Sequence, residues 1–109
     1  MKKVKLGNTD IEVSAMGLGC LYFGARDSKE KSFRRLDQFT AAGGNFLDTA
    51  NMYAHWINEE TTGGESERIL GEWLNERNNR SDMIIATKVG FPYGDAEYGT
   101  SKEQIKAEC

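Results

Sequence analysis

One proline (Pro92), one histidine (His55) and two cysteines (Cys20 and Cys109) are all that the 109 residues carry of those three types. Cysteines so widely separated, with a single histidine, match no metal-ligand spacing and no disulfide framework. The thiols therefore read as free, the compartment as cytoplasmic, and no metal is expected. Long apolar runs are missing too, so no stretch is expected to span a bilayer. Met1-Lys2-Lys3-Val4-Lys5-Leu6-Gly7 passes from basic residues straight into Asn8, Thr9 and Asp10 without the apolar segment of a secretory leader. Positive charge is short as well. Fourteen Lys and Arg against 17 Asp and Glu give a net charge of -3, with no basic stripe, which argues against nucleic acid or anionic membrane as a partner.

What is present is ordinary for a small soluble domain: 39% hydrophobic and 28% charged residues, enough apolar side chain for one core. Val4-Lys5-Leu6 and Ile11-Glu12-Val13 alternate around Gly7-Asn8-Thr9-Asp10 and predict a β-hairpin. Ala15 to Cys20, an apolar run with glycines, predicts a buried strand. Asp27 with Glu30 forms a capping-box pattern that opens a helix with the stripe Phe33, Leu36 and Phe39, stopped by Gly43-Gly44. Asn45 to Ala50 predicts a second buried strand. Glu65 and Glu67 begin another helix, where the dipole favours them; its apolar face is Ile69, Leu70, Trp73 and Leu74, with Arg77 and Arg80 toward its end. Met83 to Thr87 is the third strand. Ser101 with Gln104 caps a last helix that starts its apolar face at Ile105 and is cut at Cys109. A hairpin followed by β-α-β-α-β-α implies parallel strands with helices packed outside them, in an open doubly wound sheet or a closed eight-stranded barrel. Three strands complete neither, so the chain is read as truncated.

In either parallel fold, functional groups gather beyond the C-terminal ends of the strands. Asp48 ends the second strand and Lys88 follows the third, on neighbours about 4.8 Å apart. Tyr53 lies five residues past Asp48, near enough to fold back over the pair. An ammonium beside a phenol stabilises phenolate, and a carboxylate holds the ammonium in place, so the trio can form a proton donor. Spacing alone equally allows a structural ion pair with a core tyrosine. Gly17-Leu18-Gly19 followed by Gly24 lacks the spacing of a dinucleotide fingerprint, and no helix begins there. His55 reads as a surface or pocket-rim histidine; Trp56 either lines a pocket or packs under its loop.

Gly17-Leu18-Gly19-Cys20, the stretch Gly44-Asn45-Phe46-Leu47-Asp48-Thr49-Ala50-Asn51-Met52-Tyr53, Gly64-Glu65-Ser66-Glu67 and Ala86-Thr87-Lys88 together resemble the aldo-keto reductases, in the right order and over nearly the whole chain. The resemblance implies an α/β fold. The N-terminal hairpin and roughly the first three βα units of a TIM (β/α)8 barrel would fill residues 1–109 as the N-terminal part of one domain. It implies a nicotinamide-dependent reductase of small aldehydes or ketones, usually with NADPH. Tyr53 matches the general acid, Lys88 the lysine that eases loss of the phenolic proton, and Asp48 the carboxylate paired with that lysine. Gly19, Cys20 and Leu21, with Asp48, fall where the family contacts the nicotinamide end of its cofactor.

The family's catalytic histidine, its nicotinamide-stacking residue and the basic residues for the 2′-phosphate come later than Cys109. The loop from Ala54 to Gly63 is longer than in many relatives. Two other classes stay open: a non-catalytic nicotinamide-binding regulatory subunit, and a half-barrel that pairs with another copy or with a separate C-terminal portion. Such a fragment would present an unpaired edge at its third strand. Phe33, Phe39, Trp73 and Ile105 would face incomplete partners, which favours association and leaves the isolated chain inactive.

Overall fold

A computed structural model of the chain describes residues 1–57, 59–92 and 98–108. Alternation near the N-terminus produces the expected hairpin, one residue off its sequence boundaries. Strand β1 (Lys3–Lys5) pairs antiparallel with β2 (Glu12–Ser14), Val4 opposite Val13. Asn45 ties this hairpin to the rest of the fold. Its Oδ1 accepts the Ser14 N–H at 2.6 Å, its Nδ2 donates to the Glu12 carbonyl at 3.0 Å, and its own N–H donates to Ser14 Oγ.

Three short strands follow, β3 (Leu18–Gly19), β4 (Phe46–Asp48) and β5 (Ile84–Ala86), in the parallel order β3-β4-β5. Helix α1 (Lys29–Ala41) joins the first pair and α2 (Glu65–Arg77) the second; a short 3-10 turn, Arg80–Asp82, precedes β5. Helix α3 (Lys102–Glu108) comes last; Cys109, where the predicted helix ended, lies outside the described residues. Period-two alternation divides the sheet. Leu18, Leu47 and Ile85 are in register and face the helices, with Leu47 fully buried. Phe46, Asp48, Ile84 and Ala86 point the other way and stay half-buried.

The core lies between sheet and helices. Phe33 and Leu36 of α1 meet Ile69, Leu70, Trp73 and Leu74 of α2 over Leu47, with Cys20, Phe23 and Met83 at the margins. Each fully buried aliphatic or aromatic side chain contributes about 1.5–3 kcal/mol. The expectation that Phe33 and Trp73 lack partners is corrected: Trp73 is 0% exposed and Phe33 8%. The packing of α1 against α2 over β4 already encloses them. Trp73 also donates its indole N–H to Asp37 Oδ1 at 2.8 Å, and Arg77 holds the same carboxylate through Nε and Nη2, both at 3.0 Å. Ile105, by contrast, is 40% exposed, and β5 has no strand on its outer side among the described residues.

Other boundaries move for local reasons. Ser28, not Asp27, caps α1, its hydroxyl accepting the Lys31 N–H. Asp27 is instead buried and ion-paired with Lys31 and Arg35, both at 2.7 Å. Only Leu18 and Gly19 of the predicted first buried strand are extended in the sheet; Met16 lies in the bend between β2 and β3, outside the sheet, and is 66% exposed. Asn78 takes a left-handed conformation and ends α2, so Arg80 falls in the turn beyond and donates to the Met83 carbonyl. The Ser101 cap of α3 is present, its hydroxyl accepting the Gln104 N–H. Among the described residues no helix is long and apolar enough to cross a membrane.

Candidate active site

Strand register brings the predicted trio together. Asp48 ends β4 opposite Ala86 of β5. Beyond the strands the two chains stay paired, through Thr49 N–H to the Ala86 carbonyl (2.8 Å) and Asn51 N–H to the Lys88 carbonyl (3.1 Å). Lys88 Nζ therefore arrives 2.6 Å from Asp48 Oδ1 and 2.8 Å from the Thr49 carbonyl oxygen. Consecutive turns, closed by Tyr53 N–H to Ala50 O and His55 N–H to Met52 O, then fold the chain back. They place Tyr53 Oη 2.9 Å from Lys88 Nζ. Asp48, Tyr53 and Lys88 are thus one cluster at the C-terminal end of the sheet.

An ammonium has three protons to donate, and Lys88 meets three acceptors. Partial burial is the largest single influence on it and acts to release its proton. The hydrogen bonds to Asp48 and Tyr53, with the attraction of both groups, outweigh that and hold Lys88 above its ordinary 10.5. Lys88 therefore stays charged at neutral pH. The Tyr53 oxygen accepts one of these protons, so its own O–H remains available to a third party. Both charged side chains stay open to solvent, 43% exposed for Asp48 and 49% for Lys88. A cavity of about 60 Å³ lined by Tyr53, Lys88, Asn51, Val89 and Phe91 adjoins them. A larger cavity, about 560 Å³, lies elsewhere, at Gly24 and the loop from Glu60 to Glu65.

The other candidates spread out. Gly19 is paired with Asp48, and a side chain built on it would meet nothing within 4 Å. Leu21 is half-buried. Cys20 turns its thiol into the core, and burial foremost, then the Asp48 charge, pushes that thiol up to about 12. Its backbone is engaged inside the chain as well, N–H to Asp48 O and carbonyl to Ser66 and Phe23. His55 is exposed and edge-on to Trp56 (5.2 Å). Trp56 is 51% exposed and edge-on to Tyr53 (6.4 Å), on the loop rather than under it. Glu65 accepts the Thr62 N–H and Glu67 the Thr87 hydroxyl, a local role beside the helix dipole. Among the described residues no three His, Cys, Asp or Glu side chains gather to hold a metal.

Sequence reasoning assigned no role to Thr49, Asn51 or Ser66, which hold the site from behind. Ser66 is fully buried, donates to the Cys20 carbonyl at 2.8 Å and meets Thr49 Oγ1 at 2.8 Å. Its signal was in the sequence: Ser66, Ile69, Leu70 and Trp73 share the i, i+3, i+4, i+7 stripe, which puts a hydroxyl on the buried face.

A family model described as the aldo/keto reductase family matches residues 15–109. The chain belongs to the aldo/keto reductase family. Norsolorinic acid reductase B of Aspergillus parasiticus is 44% identical over 90 residues, covering 76% of this chain and 22% of that protein. An NADP(+) aryl-alcohol dehydrogenase of Phanerodontia chrysosporium is 42% identical over 99 residues, covering 87% and 23%. Among solved structures, the holo form of an aldo-keto reductase from Bacillus halodurans superposes with a TM-score of 0.78 at 35% identity. That match covers 98% of this chain and 33% of the other. The chain therefore spans between about a fifth and a third of the length of these relatives.

Proposed function

We propose that the chain supplies the hairpin and first three βα units of a TIM barrel that reduces an aldehyde or ketone with NADPH, and that Tyr53 is the proton donor. The observation that carries this reading is the Lys88 ammonium donating to Tyr53 Oη at 2.9 Å while Asp48 Oδ1 holds it at 2.6 Å. That arrangement turns the phenolic O–H outward, toward a carbonyl oxygen. As the proton leaves, the ammonium lies beside the negative charge that develops on the phenol oxygen, and it needs no reorientation to stabilise it. General acids so placed accelerate proton transfer by about 10²- to 10⁴-fold.

The residues present fit a flat nicotinamide ring. Gly19 presents open space on the same sheet face as Asp48, so backbone can approach where a side chain would intrude. Gly19, Leu21 and Asp48 would hold it. When bound, the nicotinamide supplies the hydride that goes to the carbonyl carbon. The barrel reading is supported by the outer edge of β5, which pairs with no strand among the described residues, and by the length of the relatives. It places the activity in the assembled barrel, with the 109-residue chain alone inactive.

The test is a barrel in which residues 1–109 replace the equivalent third of the Bacillus halodurans relative. It should oxidise NADPH when given an aldehyde, and Tyr53→Phe should remove that rate without loss of folding. A folded barrel whose rate survives Tyr53→Phe would refute the assignment.

A further inference from the structure

The two loops that carry Tyr53 and Lys88 are joined by a side chain from neither of them. Glu108, at the end of α3, reaches in so that its Oε2 accepts Asn51 Nδ2 at 2.6 Å and the Gly90 N–H at 3.4 Å. Asn51 is two residues before Tyr53, and Gly90 is two residues after Lys88. Asn51 is 5% exposed, and its N–H already donates to the Lys88 carbonyl. An amide that deeply buried has little freedom, so whatever fixes its far end fixes the turn leading to Tyr53.

Helix α3 is seated for this task at both ends. The Gly99 N–H, just before the helix, donates to the Gly90 carbonyl at 3.2 Å, while Glu108 takes the Gly90 N–H. Gly90 has φ +103, and a Cβ there would approach the Gly99 oxygen and Thr100 Cγ2 to 3.0 Å. Only glycine accepts both that conformation and that contact. The β5 loop and α3 are therefore locked together at the residue that also bonds the clamp.

From these contacts we infer that Glu108 and Asn51 form a positioning clamp that sets the Tyr53–Lys88 contact. Neither touches the reacting atoms. They act through the two loops, holding the phenol and the ammonium in register. The inference rests on the catalytic reading of Tyr53 and Lys88 only for its effect on rate; the geometric effect stands apart from it. Displacement of a reacting group by about 1 Å costs on the order of 10²-fold in rate.

The first experiment uses the 109-residue chain labelled with ¹³Cζ-tyrosine and ¹⁵Nζ-lysine, with Tyr53→Phe identifying the Tyr53 resonance. Glu108→Ala should shift the Tyr53 and Lys88 resonances, and Glu108→Gln, which keeps an acceptor for Asn51 and Gly90, should restore them. The Trp73 indole N–H, bonded to Asp37 on the far side of the core, should not move in either variant. Unmoved Tyr53 and Lys88 signals in Glu108→Ala would overturn the clamp. So would a Trp73 signal that moves with them, since that marks general loosening, and so would a chain with no resolved Tyr53–Lys88 coupling before mutation. In the assembled barrel, Glu108→Ala should lower kcat roughly 10- to 100-fold with KM unchanged and Glu108→Gln should recover it. An equal change in KM would count against the clamp. A barrel inactive before any clamp mutation would instead count against the catalytic reading, and leave the resonance result to decide the clamp.

Discussion

Removing the Ser66 hydroxyl should loosen the C-terminal end of the sheet by an amount that the hydrogen-bond chain itself specifies. Ser66 has one proton, and it goes to the Cys20 carbonyl. The 2.8 Å contact with Thr49 Oγ1 must then use the Thr49 proton. The order is Thr49 O–H to Ser66 O–H to Cys20 carbonyl, among residues no more than 2% exposed. Ser66→Ala deletes two hydrogen bonds worth about 0.5–1.5 kcal/mol each and strands the Thr49 donor at about 1–3 kcal/mol. The Cys20 carbonyl keeps the Phe23 N–H. The expected loss is about 2–6 kcal/mol. Thr49→Val removes one bond and strands no donor, for about 0.5–1.5 kcal/mol. In the double variant nothing is stranded, so its loss should fall short of the sum of the single losses by about 1.5–4.5 kcal/mol, one hydrogen bond plus the stranded donor.

Cys20 offers the assay. Its thiol is 0% exposed and pushed up to about 12, so alkylation waits for an opening that exposes it. In a Cys109→Ser background, Ser66→Ala should speed iodoacetamide labelling by at least roughly 30-fold and up to about 20,000-fold, at about 1.4 kcal/mol per factor of ten. Losses that add to within about 0.5 kcal/mol would refute the proton order and the stranded-donor reasoning with it.

Acid should act on the Asp37 cluster. Arg77 foremost, then Trp73, holds the Asp37 carboxyl below its usual 3.8. A depressed carboxyl stabilises the fold above its unfolded value, and that contribution is lost as pH falls through the folded one. The stability difference between wild type and Asp37→Asn should therefore be present at neutral pH, begin to shrink as pH falls to about the unfolded carboxyl value, and vanish only below the depressed folded one; it should not exceed about 1 kcal/mol, because the pair is solvent-exposed. A pH-independent difference in urea midpoints would contradict this. Trp73→Ala should cost about 3–5 kcal/mol and leave little cooperative unfolding by circular dichroism; a loss under about 1 kcal/mol would show that Trp73 does not hold α1 against α2. Sedimentation of the isolated chain should show self-association, because among the described residues no strand pairs with the outer edge of β5, and Phe46 and Ile84 are only half-buried; a monodisperse monomer that unfolds cooperatively would argue against it.

The elements were legible because each had a local signature. The apolar stripe of α2 and the glycine stop after α1 are written in neighbouring residues, and both helices formed with boundary shifts only. The first buried strand was not legible in extent, because an apolar run does not say where strand pairing begins; Met16 falls in the bend before β3 and stands in solvent. The cap of α1 shifted by one residue because the buried Asp27 is ion-paired with Lys31 and Arg35, which a capping pattern does not register. At the site, Asp48, Tyr53 and Lys88 stood out by residue type. Asn51 and Glu108 did not, because their meeting across 57 positions depends on how α3 is seated. Cys20 was placed near the cofactor by its motif, while the strand's alternation sent its side chain into the core.

The central claim is that Asp48, Tyr53 and Lys88 act as one proton-donating unit, and kcat for four barrels tests it most directly: wild type, Tyr53→Phe, Lys88→Met and the double variant. Residues that act as a unit have strongly non-additive effects on rate. Each single change should lower kcat by about 10²- to 10⁴-fold, and the double variant should be no slower than Tyr53→Phe alone. Single effects that multiply in the double variant, or a Tyr53→Phe barrel that keeps its rate, would contradict the account.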